Sequence, residues 1–244
     1  MPDAIFEDQR LVSIYDALDS DRRDLDVYAA MIDEIRPKAV IDLGCGTGLL
    51  ARRLARSGIA VTGVDPAAGS LEYARAQPGA HRVRWILGDA SVLPTAAADL
   101  VLMTGNAAQA IIEPADWEEM LRRTFAALRP GGRFVFETRD PGRRAWEKWT
   151  RAESWRRVQI DGVGSVETWV ELTGVDLPLV SFRHTWVFES DGAVLTSDST
   201  LRFRDRAEIE HDLQRHGYAV DEVRDAPDRP GLEFVFIVYP TLDL

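Results

Sequence analysis

The residues best suited to chemistry begin at Asp42-Leu43-Gly44-Cys45-Gly46-Thr47-Gly48, a glycine-rich turn with an acid two residues ahead of its first glycine. Three glycines let the backbone approach a ligand closely and leave amide N–H groups at the start of the helix that follows. That arrangement suits a nucleotide-type ligand, and the spacing narrows which one. A dinucleotide turn reads G-x-G-x-x-G. Here the third glycine comes one residue early, at Gly48, and Leu49 stands where the dinucleotide pattern has glycine. No Gly-Lys-Ser/Thr follows, so the Walker-A phosphate loop fails as well. The Asp42 carboxylate would repel a pyrophosphate but suits a ligand carrying an ammonium group at that place. S-adenosylmethionine ends in an amino acid there, and the electrostatics favour it.

Two more acids fall at equivalent places downstream. Asp65 closes the run Val61-Thr62-Gly63-Val64 about twenty residues after the first glycine, where a ribose-binding carboxylate belongs. Asp89, in Gly88-Asp89-Ala90, closes a third apolar run and can accept from an exocyclic amine, while the Ala90 N–H can reach a ring nitrogen. Three acids at the ends of neighbouring parallel strands mark the crevice in which such sheets bind ligands. Thr104-Gly105-Asn106-Ala107-Ala108-Gln109 leaves the fourth strand at the same rim. Asn106 and Gln109 are candidate substrate contacts there, or else simply satisfied amides of a capped turn; amides orient ligands but are poor bases. Arg139 leaves the fifth strand and could clamp a carboxylate bidentately. The favoured reading pairs it with Glu137 or Asp140 instead. Among the histidines only His184 is well placed for proton transfer, so Asn106 and His184 are the weak catalytic candidates. Cys45, the single cysteine, has no histidine near it in sequence and reads as structural.

These residues need a sheet to hold them. Residues 10–36 read as helical up to Pro37, with Leu25, Tyr28, Ala29, Ile32 and Ile35 on one face. Strands at 39–43, 60–65, 83–87, 100–103 and 133–137 alternate with helical segments, and Arg129-Pro130-Gly131-Gly132 reads as the turn into the fifth. Such alternation implies a parallel sheet with right-handed crossovers. After Pro141 the pattern shortens to alternating runs, with a hairpin turn at Ser190-Asp191-Gly192. Five of the seven tryptophans, at 146, 149, 155, 169 and 186, crowd into this antiparallel insertion. They serve as the core of a small sheet, or as an aromatic cover for substrate or a dimer surface. Asp205-Arg206-Ala207-Glu208 is a capping box opening a last helix, and two strands close the chain. The expected division is an N-terminal helical lid over 1–38, a core over 39–140 and 205–244, and the insertion over 141–204.

The 244 residues, 45% hydrophobic, suffice to bury roughly 70–75% of the unfolded surface without staples. One cysteine leaves no disulfide or cysteine-zinc cluster, and no metal is expected. A net charge of −11 argues against nucleic-acid binding. No apolar run reaches the ~20 residues of a membrane span. The acidic N-terminal residues are unlike a signal peptide, so a cytoplasmic location is expected, as a monomer or homodimer.

The motifs Val40–Gly48, Val61–Pro66, Gly88–Ala90 and Leu128–Phe134 resemble, in order and spacing, those of class I S-adenosylmethionine-dependent methyltransferases of the small-molecule type. The resemblance spans 40–137. It implies a Rossmann-like, doubly wound seven-stranded sheet of order 3-2-1-4-5-7-6, the last strand antiparallel, with the insertion following strand five. It also implies that Asp42, Gly44, Cys45, Gly46, Thr47 and Gly48 pack against the methionine moiety. Asp65 with Pro66 would take the ribose, Asp89 with Ala90 the adenine, and Thr104 and Gly105 would border the cofactor. Tyr15 matches a tyrosine that reaches the cofactor from a lid helix, or else is a half-buried helix aromatic; Asp24 and Tyr28 could also face the cleft, but the favoured reading places them on a plain helix surface. Ser70 departs from the pattern, standing where an apolar adenine contact is common. The implied reaction transfers a methyl group to a nitrogen or oxygen of a small acceptor and leaves S-adenosylhomocysteine. Another S-adenosylmethionine-using group transferase, or a non-catalytic binding protein, would share these motifs.

Overall fold

The computed structural model describes residues 2–18, 24–226 and 228–241. Helices α1 (Ala4–Glu7), α2 (Gln9–Leu18) and α3 (Asp24–Ile35) precede β1 (Ala39–Leu43), α4 (Leu49–Arg56), β2 (Ala60–Asp65), α5 (Ala68–Ala76) and β3 (Val83–Leu87). Then come β4 (Ala98–Met103), α6 (Pro114–Ala127) and β5 (Leu128–Arg139). The chain continues through α7 (Arg151–Ser154), β6 (Arg156–Ile160), β7 (Gly164–Asp176), β8 (Leu179–Phe188) and β9 (Val194–Arg202), and ends with α8 (Arg206–Arg215), β10 (Tyr218–Asp225) and β11 (Glu233–Pro240).

The main sheet runs β3-β2-β1-β4-β5-β11-β10. Its first five strands are parallel, and β11 is antiparallel to both neighbours. In the core's own numbering this is the expected 3-2-1-4-5-7-6. Alternation along each strand sends side chains to opposite faces, and both faces are covered. Phe134, Phe136 and Phe236 meet Trp117 and Leu121 of α6 and Leu213 of α8 on one side. Val135, Val235 and Ile237 lie in the cluster with Tyr28 and Ile32 of α3 and Leu50 and Leu54 of α4 on the other. Chain direction and crossovers thus bring the carboxyl ends of β1 to β5 to one edge, with the start of β11 beside the end of β5, where Glu233 pairs with Arg139.

The insertion is a second, antiparallel sheet of order β6-β7-β8-β9. One of its faces carries Phe182, His184, Trp186 and Phe188 at alternate positions of β8. Trp186 and Phe188 pack with Leu11, Ile14 and Leu18 of α2, and Val180 packs with Trp146 and Phe203. Trp146, Trp169 and Trp186 are buried, whereas Trp155 is exposed. The Asp205 capping box forms, its carboxylate accepting from the Glu208 N–H at 2.8 Å.

One local expectation is met over the described residues and another changes. The helix expected over 10–36 is represented by α2 and α3, and its middle, 19–23, lies outside the described residues. The Arg129–Gly132 turn lies inside β5, where pairing to β4 jumps from Ala98↔Leu128 to Leu100↔Arg133. Gly131, at φ +80°, carries the chain round that irregularity.

Candidate active site

The glycine turn hangs on β2. Gly44 and Cys45 donate backbone N–H groups to the Val64 carbonyl at 2.8 and 3.1 Å, and Gly46 donates to Asp65 Oδ2 at 2.7 Å. Asp65 Oδ1 accepts from Ala67 N at 2.8 Å. This buried carboxylate therefore fixes the turn and still has lone pairs for a diol. The glycines have different reasons. A Cβ on Gly48 would lie 2.3 Å from the Trp85 ring, so its absence serves packing. Gly46, at φ +51°, has nothing within 4 Å of that position. Its space is available to a ligand.

Asp42 is buried, and its Oδ1 has no hydrogen-bond partner. Burial and the nearby Asp65 raise its pKa to about 7. An ammonium group would satisfy this oxygen and favour its ionised form, so the residues present fit the amino-acid end of S-adenosylmethionine. Cys45 lies beside both acids; burial, then Asp42 and Asp65, push its thiol up and keep it protonated. A thiolate nucleophile is thereby disfavoured. At the end of β3, Ala90 is buried, while exposed Asp89 spends Oδ1 on Ser91 N at 2.9 Å and is held below the usual carboxylate range by that residue. Exposed Pro66 follows Asp65 at the same edge.

The N-terminal helices lie over this edge. Glu7 accepts from Ala68 N at 3.1 Å and Gly69 N at 3.0 Å, at the start of α5. Ser70, the residue that departs from the family pattern, donates to the Phe6 carbonyl at 2.8 Å. Thr47 donates to Asp16 Oδ1 at 2.7 Å. Tyr15 is half-buried, packs on Phe6 with ring centroids 5.9 Å apart, and lies within electrostatic range of Arg139. The Asp24 side chain lies outside the described residues.

Beyond β4 the site is made of side chains. Thr104 is half-buried and Gly105 exposed, with open space at its Cβ position. Asn106 takes a left-handed φ of +59°, which asparagine tolerates better than most residues. Its N–H donates to Glu137 Oε1 at 2.9 Å and its Nδ2 to Glu233 Oε1 at 3.0 Å. Tyr28 donates to Glu137 Oε2. Burial and then Glu233 raise the Glu137 pKa; Tyr28 shifts upward too, through burial and then Glu137. Arg139 does not pair with Glu137 or Asp140 as expected. It donates to Gln109 Oε1 at 3.0 Å and faces Glu233 at 3.6 Å, because Glu137 is engaged by Tyr28 and Asn106, and Asp140 by Gly142 N. Arg229 completes the group at 2.7 Å from Glu233.

Glu233 and Arg229 escape the sequence reading, since both lie about ninety residues beyond Arg139 in a stretch with no motif. The antiparallel register of β11 on β5 is the signal that would have found Glu233. Asn106 Oδ1, Gln109 Nε2 and Glu233 Oε2 are buried without partners. Such atoms cost about 1–3 kcal/mol each. The capped-turn reading of Asn106 and Gln109 thus holds for only one end of each amide. Across from Arg139 stands Trp149, with the guanidinium 5.7 Å from its ring, and Trp149 meets Phe182 at 4.8 Å. His184, next on that face of β8, stacks on Trp186 at 4.3 Å. Burial and Arg156 lower its pKa to about 4, so it is neutral at physiological pH.

A family model described as "Methyltransferase domain" matches residues 40–132, the stretch holding the glycine turn and the three strand-end acids. Over 183 residues the chain is 31% identical to malonyl-[acyl-carrier protein] O-methyltransferase of Serratia marcescens, covering 74% of this chain and 67% of that protein. The chain belongs to the S-adenosylmethionine-dependent methyltransferases. An uncharacterized methyltransferase of Mycobacterium tuberculosis is 38% identical over 116 residues, 46% of this chain and 57% of that protein. The fold of this methyltransferase is shared by Streptomyces venezuelae DesVI (TM-score 0.78, 18% identity, 94% of this chain and 98% of that one). It is shared equally by an S-adenosylmethionine-dependent methyltransferase from Clostridium acetobutylicum (TM-score 0.74, 19% identity, 96% and 98%). No helix among the described residues of the methyltransferase is long and apolar enough to cross a membrane.

Proposed function

We propose that this methyltransferase acts on a nitrogen or oxygen of a small molecule held between the rim at Asn106–Arg139 and the aromatic face of the insertion sheet. The observation that carries the reading is the set of three unpartnered, buried polar atoms at the strand ends beside the cofactor crevice. Bound S-adenosylmethionine supplies a methyl group activated by its sulfonium. Asp42 would hold the ammonium end, Gly44–Gly48 would leave room for the methionine chain, and Asp65 would take the ribose. Asp89, Ala90 and Tyr15 would border the adenine. Asn106, Gln109 and Arg139 would orient the acceptor so that its lone pair faces the methyl group. Proximity, alignment and exclusion of water are the protein's main contributions.

The Serratia relative is named for a malonyl-acyl-carrier-protein acceptor. One structural neighbour, KedS8 (TM-score 0.72, 15% identity), is named for a sugar nitrogen. The same scaffold thus accommodates both kinds of acceptor, and the rim decides between them. Calorimetry should show binding of S-adenosylmethionine and S-adenosylhomocysteine and none of NAD. A mass-spectrometric screen of amine and hydroxyl metabolites should then find a methyl-sized gain matched by released S-adenosylhomocysteine. NAD binding without the other two would sink the reading.

A further inference from the structure

The unpartnered atoms at the rim have a definite polarity, because charged neighbours fix which way each amide points. Nδ2 of Asn106 faces the Glu233 carboxylate, an acceptor only, so the other end of that amide must be the oxygen. Oε1 of Gln109 faces the Arg139 guanidinium, a donor only, so its other end must be the NH2 group. Flipping either amide would set oxygen against oxygen or N–H against N–H. Glu233 adds a second free acceptor at Oε2. The open valences of this linked group are therefore two acceptors, Asn106 Oδ1 and Glu233 Oε2, and one donor, Gln109 Nε2. The arginines in this cluster are already paired: Glu233 lies 3.6 Å from Arg139 and 2.7 Å from Arg229, Asp228 lies 3.4 Å from Arg229, and Glu137 is a further buried acid.

Resting on the reading above, we propose that the acceptor is a molecule whose N–H or O–H group stands beside a carbonyl or hydroxyl oxygen, and that a carboxylate is rejected. The N–H or O–H is received by Asn106 Oδ1 and Glu233 Oε2, and the neighbouring oxygen by Gln109 Nε2. A carboxylate would set its oxygens against the two free acceptors while finding Arg139 already shared between Glu233 and Gln109. Buried acceptors left facing acceptors discriminate strongly between otherwise similar ligands. Glu233, absent from the sequence motifs, becomes a specificity-determining residue.

The test uses the full chain saturated with S-adenosylhomocysteine and two probes of one carbon skeleton, malonamide and malonate, titrated by calorimetry. Malonamide should bind at least about tenfold more tightly. Glu233→Gln removes the acid shared by the two arginines and should narrow that preference. Asn106→Gly keeps the left-handed backbone, deletes the acceptor oxygen, and should weaken malonamide while leaving malonate unchanged. Melting temperature and S-adenosylhomocysteine affinity report whether each variant is folded. Malonate binding as well as malonamide overturns the proposal, and so does failure of both to bind, which would leave the three atoms to ordered water. A methyl ester among the products of the acceptor screen overturns it too. Failure of S-adenosylhomocysteine to bind the unmodified protein would instead defeat the methyl-transfer reading itself.

Discussion

At the ends of β1 to β3 the cofactor crevice is shaped largely by backbone. Gly44, Gly46 and Gly48 all take positive φ, and their turn is hung on the Val64 carbonyl and the Asp65 carboxylate. The neighbouring rim, at the ends of β4 and β5 and the start of β11, is shaped by side chains from six separate places: Tyr28, Asn106, Gln109, Glu137 with Arg139, Arg229 and Glu233. The first kind of site needs particular residue types at close spacing, and one cofactor suits it. The second depends on which side chains the topology brings together, and exchanging one amide or acid there changes its polarity without disturbing the sheet.

The largest effect that would sharpen this contrast separates two glycines only two residues apart. Gly48→Ala drives a Cβ into the Trp85 ring and forces alanine into a left-handed φ of +72°. It should destabilise the protein by about 3 kcal/mol or more, a fall of about 10 °C in Tm. Gly46→Ala meets no protein atom within 4 Å. Its fold should survive with only about 1–2 kcal/mol of backbone strain, while S-adenosylmethionine affinity falls at least about tenfold. Equal loss of stability in both variants would erase the distinction between a packing glycine and a ligand glycine.

Next in size is a pH effect confined to the crevice. The Asp42 carboxyl, raised to about 7, is charged only above that value. Cofactor affinity measured by calorimetry should climb as pH rises through 7, falling about tenfold per unit below it. In Asp42→Asn the affinity should be low and flat. Because the folded protein holds this proton more tightly than the unfolded chain, the Asp42 contribution to apo stability is lost as pH rises from about 4 to 7. Smallest is Glu7→Gln, which removes a charge from the start of α5 and should speed S-adenosylmethionine dissociation about two- to fivefold in stopped flow.

The same contrast explains what could be read from the chain. The strand-end acids were legible because Val40–Asp42, Val61–Asp65 and Val83–Asp89 repeat one local rule, a largely apolar run ending in a carboxylate, whereas the sheet order came with the family resemblance. Arg139 was misassigned because its partner comes from β11, and a guanidinium pairs with whatever carboxylate the register delivers rather than with a sequence neighbour. The tryptophans were ambiguous for a related reason. Trp186 lies in the alternating run of β8 and is sealed by α2, whereas Trp155, between Ser154 and Arg156, is 47% exposed. Ser70 read as a departure from the family pattern, and the structure gives it a partner in Phe6, on a helix more than sixty residues earlier.

The fastening of the N-terminal helices has a mechanical consequence. Glu7, Phe6 and Asp16 tie them to the crevice, while Arg10 grips Asp191 through two bonds of 2.8 and 3.0 Å and Ile5 N donates to Ser197 Oγ at 3.0 Å. Residues 2–18 are thus buckled to both sheets at once. A displacement of these helices from the crevice would strain their contacts with the insertion sheet as well. The two halves of the rim are mechanically linked through one short segment.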